Sequence, residues 1–425
     1  YKHIWLINFP VMMSILIEQL INITDAIFLG HVGEIELGAS ALAGIWYLAI
    51  YMLGFGFSLG LQVVVARRNG EQHYSETGKT FFQGLFFLSG LAVFLCLFSK
   101  LFSPIILSRL IASAEVYHAV IDYLDGRIWG LLFSFPFLAL RSFLVGITHT
   151  KALNVAALTA VLVNISGNWL LIFHWDMGIA GAAIASSFAE ACSLAVLAIH
   201  VLRKMDKRLY GLSWSFDKGV LLHVFRVSVW SMFHSFIGVA PWFLFFVAIE
   251  HLGELQLAVA NILRSISTLF FVIVNSFAAT TGSLVSNLIG ADERGQVFPL
   301  CSRVIRLGYA IGFPLIALAL IFHQSVIDVY TDNPVIVQTS WLPFVVMLLN
   351  YVFALPGYVY MNAVTGTGAT RTAFILQATT IAAYLLYLWG LSHCDVPLAV
   401  YWTVEYLFVI GLGVQSVIYL KHKHY

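Results

Sequence analysis

Long apolar segments recur along the whole chain and are separated by short polar loops. An α-helix needs about 20 apolar residues to cross the hydrocarbon core of a bilayer, and the recurring segments have that length. We predict twelve membrane-spanning helices, over residues 5–29, 41–66, 80–98, 116–147, 153–173, 178–202, 220–249, 256–288, 300–322, 335–365, 372–391 and 397–420. The pattern therefore predicts an all-α polytopic membrane protein.

The chain contains an internal duplication with a shift of 220 residues. The segment HVGEIELGAS at 31–40 returns as HLGELQLAVA at 251–260, and the same shift aligns Gly70 with Gly290. Each copy holds six predicted helices. Because six is an even number, both copies enter the membrane from the same side, which predicts two parallel six-helix bundles related by a pseudo-twofold axis.

The segment near residue 210 is rich in charges and joins the two copies. We therefore expect an N-terminal lobe over residues 1–210 and a C-terminal lobe over residues 211–425.

Composition and charge agree with a membrane location, since 60% of the residues are apolar and 10% are charged. Lys and Arg gather in one set of loops, whereas the opposite set holds only Lys100 and Arg109. Positive residues are retained on the cytoplasmic side, so both termini are predicted to be cytoplasmic. The basic residues are dispersed among the loops, and we expect no nucleic-acid partner.

The first predicted helix has a ribbon of polar residues on one face. Glu18 and Asp25 are seven residues apart, which at about 100° per residue places them on the same side, with Asn22 between them. An ionisable side chain within a membrane span costs about 2.5–3.5 kcal/mol on insertion scales, so such residues point into protein or a wet cavity. These residues are candidates for a cation-coupling site.

Two more oxygen-bearing ribbons lie on the fifth and sixth predicted helices. Asn164 and Asn168 share one face, as do Ser186 and Glu190, because each pair is four residues apart. Carboxylate, amide and hydroxyl oxygens suit Na⁺ or a proton. We predict that the ribbons converge on such a cation, with hydrogen bonding between helices as the alternative role for the asparagines and serines.

The second copy lacks the acids of the first. The shift of 220 residues places Gly238 at the position of Glu18 and Phe245 at the position of Asp25. The seventh predicted helix is aromatic instead. Four of its residues are candidates for a cavity wall that stacks flat organic cations, with a lipid-facing or core role as the alternative: Trp230, Phe233, His234 and Phe236.

Three further residues are singled out by their positions. Pro10 lies in the helix that carries the acids, and a proline inside a helix removes a backbone hydrogen bond and bends the helix. Tyr123 is placed where its phenol can donate to a carboxylate deeper in the bundle. Arg127 has Asp122 and Asp125 close by in sequence, and we expect these three to pair among themselves.

Several motifs together resemble those of one transporter family. They are Pro10 followed by Asp25 in DAIFLGHVG, the pair Asn164 and Asn168 in NISGNWL, the run GIAGAAIAS from Gly178, and TGTGATRT from Thr365. The chain resembles multidrug and toxic compound extrusion (MATE) transporters over nearly its whole length, nearest to the NorM and DinF-type bacterial branches.

The resemblance implies a V-shaped pair of six-helix lobes in the bacterial inner membrane. It implies antiport, in which amphipathic and often cationic organic compounds leave in exchange for Na⁺ or H⁺. It maps the first-lobe acidic site to Asp25, with Asn164 and Asn168 as partners and with Tyr123 and Ser186 around it. We expect no cofactor besides the coupling ion, and a functional monomer in the lipid bilayer.

The resemblance also exposes a departure. NorM-type transporters resemble one another in a glutamate on the seventh helix, where this chain has Gly238. The sequence therefore argues against a cation site in the second lobe.

Two other functions fit the sequence less well. A lipid-linked oligosaccharide flippase of the same superfamily would need several cations for a pyrophosphate, and the predicted spans offer only Arg141 and Arg264. An intramembrane enzyme with Glu18 and Asp25 as acid and base would lack a nucleophile, a metal cluster and a phosphate cradle. We therefore expect a transporter and not an enzyme.

Overall fold

The computed structural model describes residues 1–111, 114–250, 252, 254–330 and 333–424. Within the helices, the side chains of residues 17, 18, 22, 23, 26, 30, 34, 37, 38, 41, 110, 243, 246, 247, 250, 254, 257, 258 and 261 also lie outside the described part. Glu18 and Asn22 are among them, so their predicted places in the cation site stay predictions.

All regular structure in the described ranges is helical, which confirms the all-α prediction. The first half contains α1 (Lys2–Val32), α2 (Glu34–Gly70), α3 (Tyr74–Leu110), α4 (Ala114–Arg127), α5 (Leu131–Gly146), α6 (Lys151–Asn168) and α7 (Gly178–Lys204). The second half contains α8 (Lys218–Ile237), α9 (Ala240–Glu250), α10 (Glu254–Gly290), α11 (Val297–Ile321), α12 (His323–Asp328), α13 (Pro334–Thr339), α14 (Trp341–Leu349), α15 (Tyr351–Gly366), α16 (Thr370–Ser392), α17 (Leu398–Tyr401) and α18 (Thr403–His422).

Among the described residues, twelve helical segments are long and apolar enough to cross a membrane, as predicted. Their ends differ from the predicted ranges. The predicted span 80–98 is the apolar centre of α3, which has 37 residues, because helical hydrogen bonding continues beyond the apolar run. The predicted span 335–365 is divided at Ser340 and Asn350 into α13, α14 and α15.

The duplication is visible in the backbone as well as in the sequence. Helices α2 and α10 each have 37 residues and begin 220 positions apart. The turn after each helix contains a residue in the left-handed region, Gln72 with φ 61° and Asp292 with φ 59°. Such a conformation is uncommon outside glycine, so its recurrence at equivalent positions shows that both copies make the same turn.

The chain forms two compact units, and each is described by itself. The first unit is Phe9–Met232, and the second unit is Tyr1–Asn8 together with Phe233–Tyr425. Asn8 is held in the second unit by its carboxamide oxygen, which accepts a hydrogen bond of 3.0 Å from Thr280. The predicted lobes 1–210 and 211–425 are defined by the sequence repeat and stay a prediction.

Small residues bring α6 and α7 of the first unit close together. A Cβ on Gly167 would lie 3.1 Å from the Cβ of Ala185, and one on Gly181 would lie 3.0 Å from the carbonyl carbon of Leu171. Leu171 belongs to a short π-helical segment, Trp169–His174, that continues α6 directly. Glycine and alanine allow membrane helices to approach closely, and this contact positions the polar side chains described below.

Prolines lie within several of these helices. Pro10 is inside α1, which is helical on both sides of it, so its predicted part in bending stays a prediction. Pro241 lies in the first turn of α9, directly after the break that ends α8.

Candidate cation site

Asp25 of α1 is the centre of a buried polar cluster in the first unit. Its side chain is 9% exposed. Asn164 and Asn168 of α6 donate from their amide nitrogens to Oδ1 of Asp25, at 3.0 Å and 2.6 Å. Ser186 of α7 donates from Oγ to Oδ2 at 2.7 Å. The structure thus brings together four of the predicted site residues from three helices.

The side chains that donate to Asp25 also form hydrogen bonds with one another. Asn168 donates to Oδ1 of Asn164 at 3.2 Å, and Asn164 donates to Oγ of Ser186 at 3.1 Å. The remaining amide oxygen, Oδ1 of Asn168, is buried and accepts no hydrogen bond from the described residues. A buried acceptor without a partner is uncommon, and beside a carboxylate it suits a bound cation or a proton.

Glu190, another predicted site residue, is bound to a different partner. Arg127 at the end of α4 donates from its two terminal nitrogens to the two carboxylate oxygens of Glu190, at 2.9 Å and 2.7 Å. Arg127 therefore does not form the expected pairs with Asp122 and Asp125. Asp125 is bound by Lys100 at 2.8 Å instead.

Two tyrosines complete the surroundings of this ion pair. The guanidinium of Arg127 lies 4.0 Å from the ring centre of Tyr47, whose hydroxyl donates to Glu190 at 3.4 Å. Tyr123 is buried and interacts with Arg127. In the described structure Tyr123 is not hydrogen-bonded to Asp25, although the two side chains interact electrostatically.

The charges of the cluster do not balance. Glu190 has its counter-charge in Arg127, whereas in the described residues no Lys, Arg or His forms an ion pair with Asp25. The hydrogen bonds that Asp25 accepts from described residues all come from neutral groups. Since an unpaired intramembrane carboxylate is costly, the cluster fits one added positive charge, either H⁺ or Na⁺. The carboxylate, amide and hydroxyl oxygens are the ligand types that Na⁺ prefers.

The four predicted cavity-wall residues all lie on α8. Trp230 is half-buried in the first unit. In the second unit, Phe233 and Phe236 are each 46% exposed, and His234 is half-buried with its Nε2 atom unpartnered among the described residues. These positions leave the predicted stacking role a prediction.

Sequence reasoning missed Arg127 and Tyr47 as partners of Glu190. Arg127 and Glu190 are 63 residues apart in the chain, so helix spacing gives no sign of their contact. The sequence did offer one signal. An arginine near a membrane span is costly, so an acid on a neighbouring helix is the expected partner. The structure also explains why residue 130 is a glycine, because a side chain there would overlap the ion pair of Arg127 and Glu190.

Comparison with known proteins agrees with this architecture. A family model described as MatE matches residues 10–170 and 231–388, which together exceed half of the chain. The chain belongs to the MatE family. Because MatE proteins are transporters, this chain is a multi-pass membrane transporter and not an enzyme.

Individual MatE relatives are similar over most of their length. A probable multidrug resistance protein NorM from Photorhabdus laumondii is 26% identical over 365 residues, 82% of this chain and 78% of the relative. The multidrug resistance protein NorM from Vibrio cholerae is 23% identical over 342 residues, 78% of this chain and 74% of the relative.

The MatE fold is also found in solved structures. One, the outward-facing conformation of a multidrug resistance MATE family transporter of the MOP superfamily, has a TM-score of 0.89. It is 19% identical and covers 99% of this chain and 95% of its own.

Proposed function

We propose that this protein exports amphipathic, often cationic organic compounds across the plasma membrane in exchange for Na⁺ or H⁺. The observation that carries the proposal is Asp25, a buried carboxylate with three neutral hydrogen-bond donors and no ion-pair partner among the described residues. The names of the NorM relatives, which are multidrug resistance proteins, support multidrug substrates for this chain.

The proposed cycle is alternating access, in which Asp25 binds and releases the coupling cation. A cation that enters from outside binds Asp25 and removes the cost of its charge, which favours the conformation that releases the organic compound. Release of the cation to the cytoplasm restores the charged carboxylate and the conformation that accepts the next compound. Each elementary charge that moves inward gains about 2.3 kcal/mol per 100 mV of membrane potential.

The oxygen atoms around Asp25 fit either coupling ion. For Na⁺, Asp25, Asn168 Oδ1 and Asn164 would supply oxygen ligands, with the unpartnered Oδ1 of Asn168 pointing to such a role. For H⁺, protonated Asp25 would itself become a donor. We propose that the protein acts as a monomer with both termini in the cytoplasm, as the distribution of Lys and Arg indicates.

The proposal is tested with purified protein in vesicles that contain the fluorescent cation ethidium. Ethidium movement is followed under an imposed Na⁺ gradient, an imposed pH gradient, or neither. We expect uphill transport under at least one gradient, loss of that transport in Asp25→Asn, and near wild-type transport in the control Asp122→Asn, which changes an exposed acid of the same unit. Gradient-independent transport, or full uphill transport by Asp25→Asn, would contradict the proposal.

A further inference from the structure

The second unit contains a small cavity of about 30 Å³ beside its last long helix, α18. Most of the lining is apolar or aromatic, and Glu405, Asn350 and Trp402 are among the lining residues with polar atoms. A cavity holds a water molecule when its volume exceeds about 10–15 Å³ and when it offers about two to four polar partners. This cavity therefore has the size for roughly one or two water molecules and is too small for an organic compound.

Glu405 of α18 is a buried acid, 5% exposed, whose described hydrogen-bond partner is neutral. The hydroxyl of Tyr384 on α16 donates to Oε1 of Glu405 at 2.9 Å. No Lys, Arg or His within the described ranges forms an ion pair with Glu405, in contrast to Glu190, which Arg127 binds. A buried carboxylate without a counter-charge is costly, and binding of a proton removes that cost.

The other titratable groups around Glu405 are phenols. Tyr358 of α15 interacts electrostatically with Glu405, as Tyr384 does. Tyr351, also of α15, lines the cavity and donates to a backbone carbonyl. Helices α9, α10 and α14 line the cavity with side chains that do not titrate, among them Trp242, Ser267 and Met347. Because tyrosines are uncharged near neutral pH, a change of charge among these described neighbours falls on Glu405.

Two buried polar atoms of the lining residues have no hydrogen-bond partner among the described residues. They are Oδ1 of Asn350, which is 8% exposed, and Nε1 of Trp402, which is 2% exposed. The first atom is an acceptor and the second is a donor. A metal ion would satisfy the oxygen but not the N–H group, whereas a water molecule accepts from Nε1 and donates to Oδ1. The pair therefore indicates a bound water molecule, whose second hydrogen is available to Glu405.

The hydroxyl of Tyr384 has a single hydrogen and two acceptors within reach, Glu405 at 2.9 Å and the carbonyl of Pro241 at 3.3 Å. A charged carboxylate is the stronger acceptor, so it takes this hydrogen. A protonated Glu405 can instead donate to the hydroxyl oxygen, which leaves the hydrogen of Tyr384 for Pro241. Because Pro241 lies in the first turn of α9, the protonation of Glu405 determines a hydrogen bond at the break between α8 and α9.

We infer that Glu405 binds and releases a proton through a water molecule that Asn350 and Trp402 hold. The site lies within the second unit, and the inference does not rest on the ion exchange proposed at Asp25. Its acid is on α18, whereas the sequence argued against a cation site in this half from Gly238 on the seventh predicted helix.

The test is infrared difference spectroscopy of purified protein in detergent, with Asp25→Asn as the parent so that Asp25 does not contribute. The pH is changed between about 9 and about 6, a range in which exposed carboxyl groups stay charged. We expect the carbonyl band of a protonated carboxyl group to appear as the pH falls, and to be lost when Glu405→Gln is added. Adding Asp395→Asn instead, which changes an exposed acid of the same unit, should leave the band unchanged.

The bound water is followed in the same spectra by exchange into H₂¹⁸O, which shifts the O–H bands of water. We expect a shifted water band that accompanies the carboxyl band in the parent. Trp402→Phe should remove this water band, because the variant keeps an aromatic ring but lacks the N–H group. A water band that is unchanged in Trp402→Phe would contradict the assigned water.

Folding is checked by the melting temperature of each variant, and Glu405→Gln should not lower it, because the variant removes a buried charge. A carboxyl band that is absent from the folded parent, or that persists after Glu405→Gln, would overturn the inference. Loss of the band on addition of Na⁺ but not of choline would overturn it in favour of a metal-ion site. Because every spectrum is recorded in Asp25→Asn, failure of the proposed ion exchange at Asp25 leaves this result unaffected.

Discussion

Arg127 binds both carboxylate oxygens of Glu190, at 2.9 Å and 2.7 Å, and so neutralises the acid of α7. Asp25 and Glu190 are therefore chemically different. Glu190 has a permanent counter-charge, whereas Asp25 is surrounded by neutral donors. The difference supports the proposed ion exchange at Asp25 and predicts a structural role for Glu190.

The first prediction separates these two acids. Glu190→Gln should keep the dependence of ethidium transport on the imposed ion gradient, while Asp25→Asn should lose it. The measurement is the ratio of transport rates with and without the gradient, at matched protein density. A Glu190→Gln protein that folds but no longer responds to the gradient would contradict this assignment.

The second prediction concerns the stability of the Arg127 and Glu190 pair. Arg127→Met should lower the free energy of unfolding by about 3 kcal/mol, because it leaves Glu190 charged without its partner. The double variant Arg127→Met with Glu190→Gln should recover much of that loss, since no uncompensated charge remains. Thermal unfolding in detergent measures both. Equal melting temperatures for the single and double variants would count against the pairing.

The third prediction concerns the asparagines of α6. Asn168→Ala should weaken binding of Na⁺ by about tenfold, because it removes the unpartnered oxygen beside Asp25, whereas it should not weaken binding of H⁺, because the lost amide donor stabilises the charged carboxylate. The matched control is Ser193→Ala, since Ser193 is buried on α7 but donates to the carbonyl of Ala156. The control should retain wild-type cation affinity in a direct binding measurement. Equal losses in the two variants would indicate general loosening of the helices.

The fourth prediction concerns the close approach of α6 and α7. Gly181→Val should reduce gradient-driven transport strongly, because its side chain would push against Leu171 and displace the helix that carries Asn164 and Asn168. Gly90→Val is the control, since a Cβ on Gly90 meets nothing within 4 Å. Transport assays on the two variants at equal expression decide the point, and wild-type transport by Gly181→Val would contradict it.

Much of the fold was predictable because one physical signal dominates membrane chains. Apolar runs long enough to cross the hydrocarbon core identified the twelve spans, and the shift of 220 residues showed the duplication. The helix ends were less predictable. Helix α3 continues to Tyr74 and Leu110, beyond its apolar centre, because polar residues can extend a helix outside the hydrocarbon.

The site was predictable only where its residues belong to a single helix face. The spacing of Asn164 and Asn168 placed both on one side of α6, and both donate to Asp25 in the structure. Contacts between distant helices gave no such pattern, so Arg127 was expected to pair with its sequence neighbours. The contact between Glu405 and Tyr384 is likewise not visible in helix spacing, because Tyr384 is on another helix.

Cation release on substrate binding by the purified protein tests the central claim most directly. Ethidium is added in weakly buffered detergent solution, and released protons or ²²Na⁺ are counted for wild type and Asp25→Asn. The proposed exchange at Asp25 predicts release of about one cation per wild-type molecule and none from Asp25→Asn. Equal release by both proteins, or no release by a wild-type protein that still transports ethidium uphill, would contradict it.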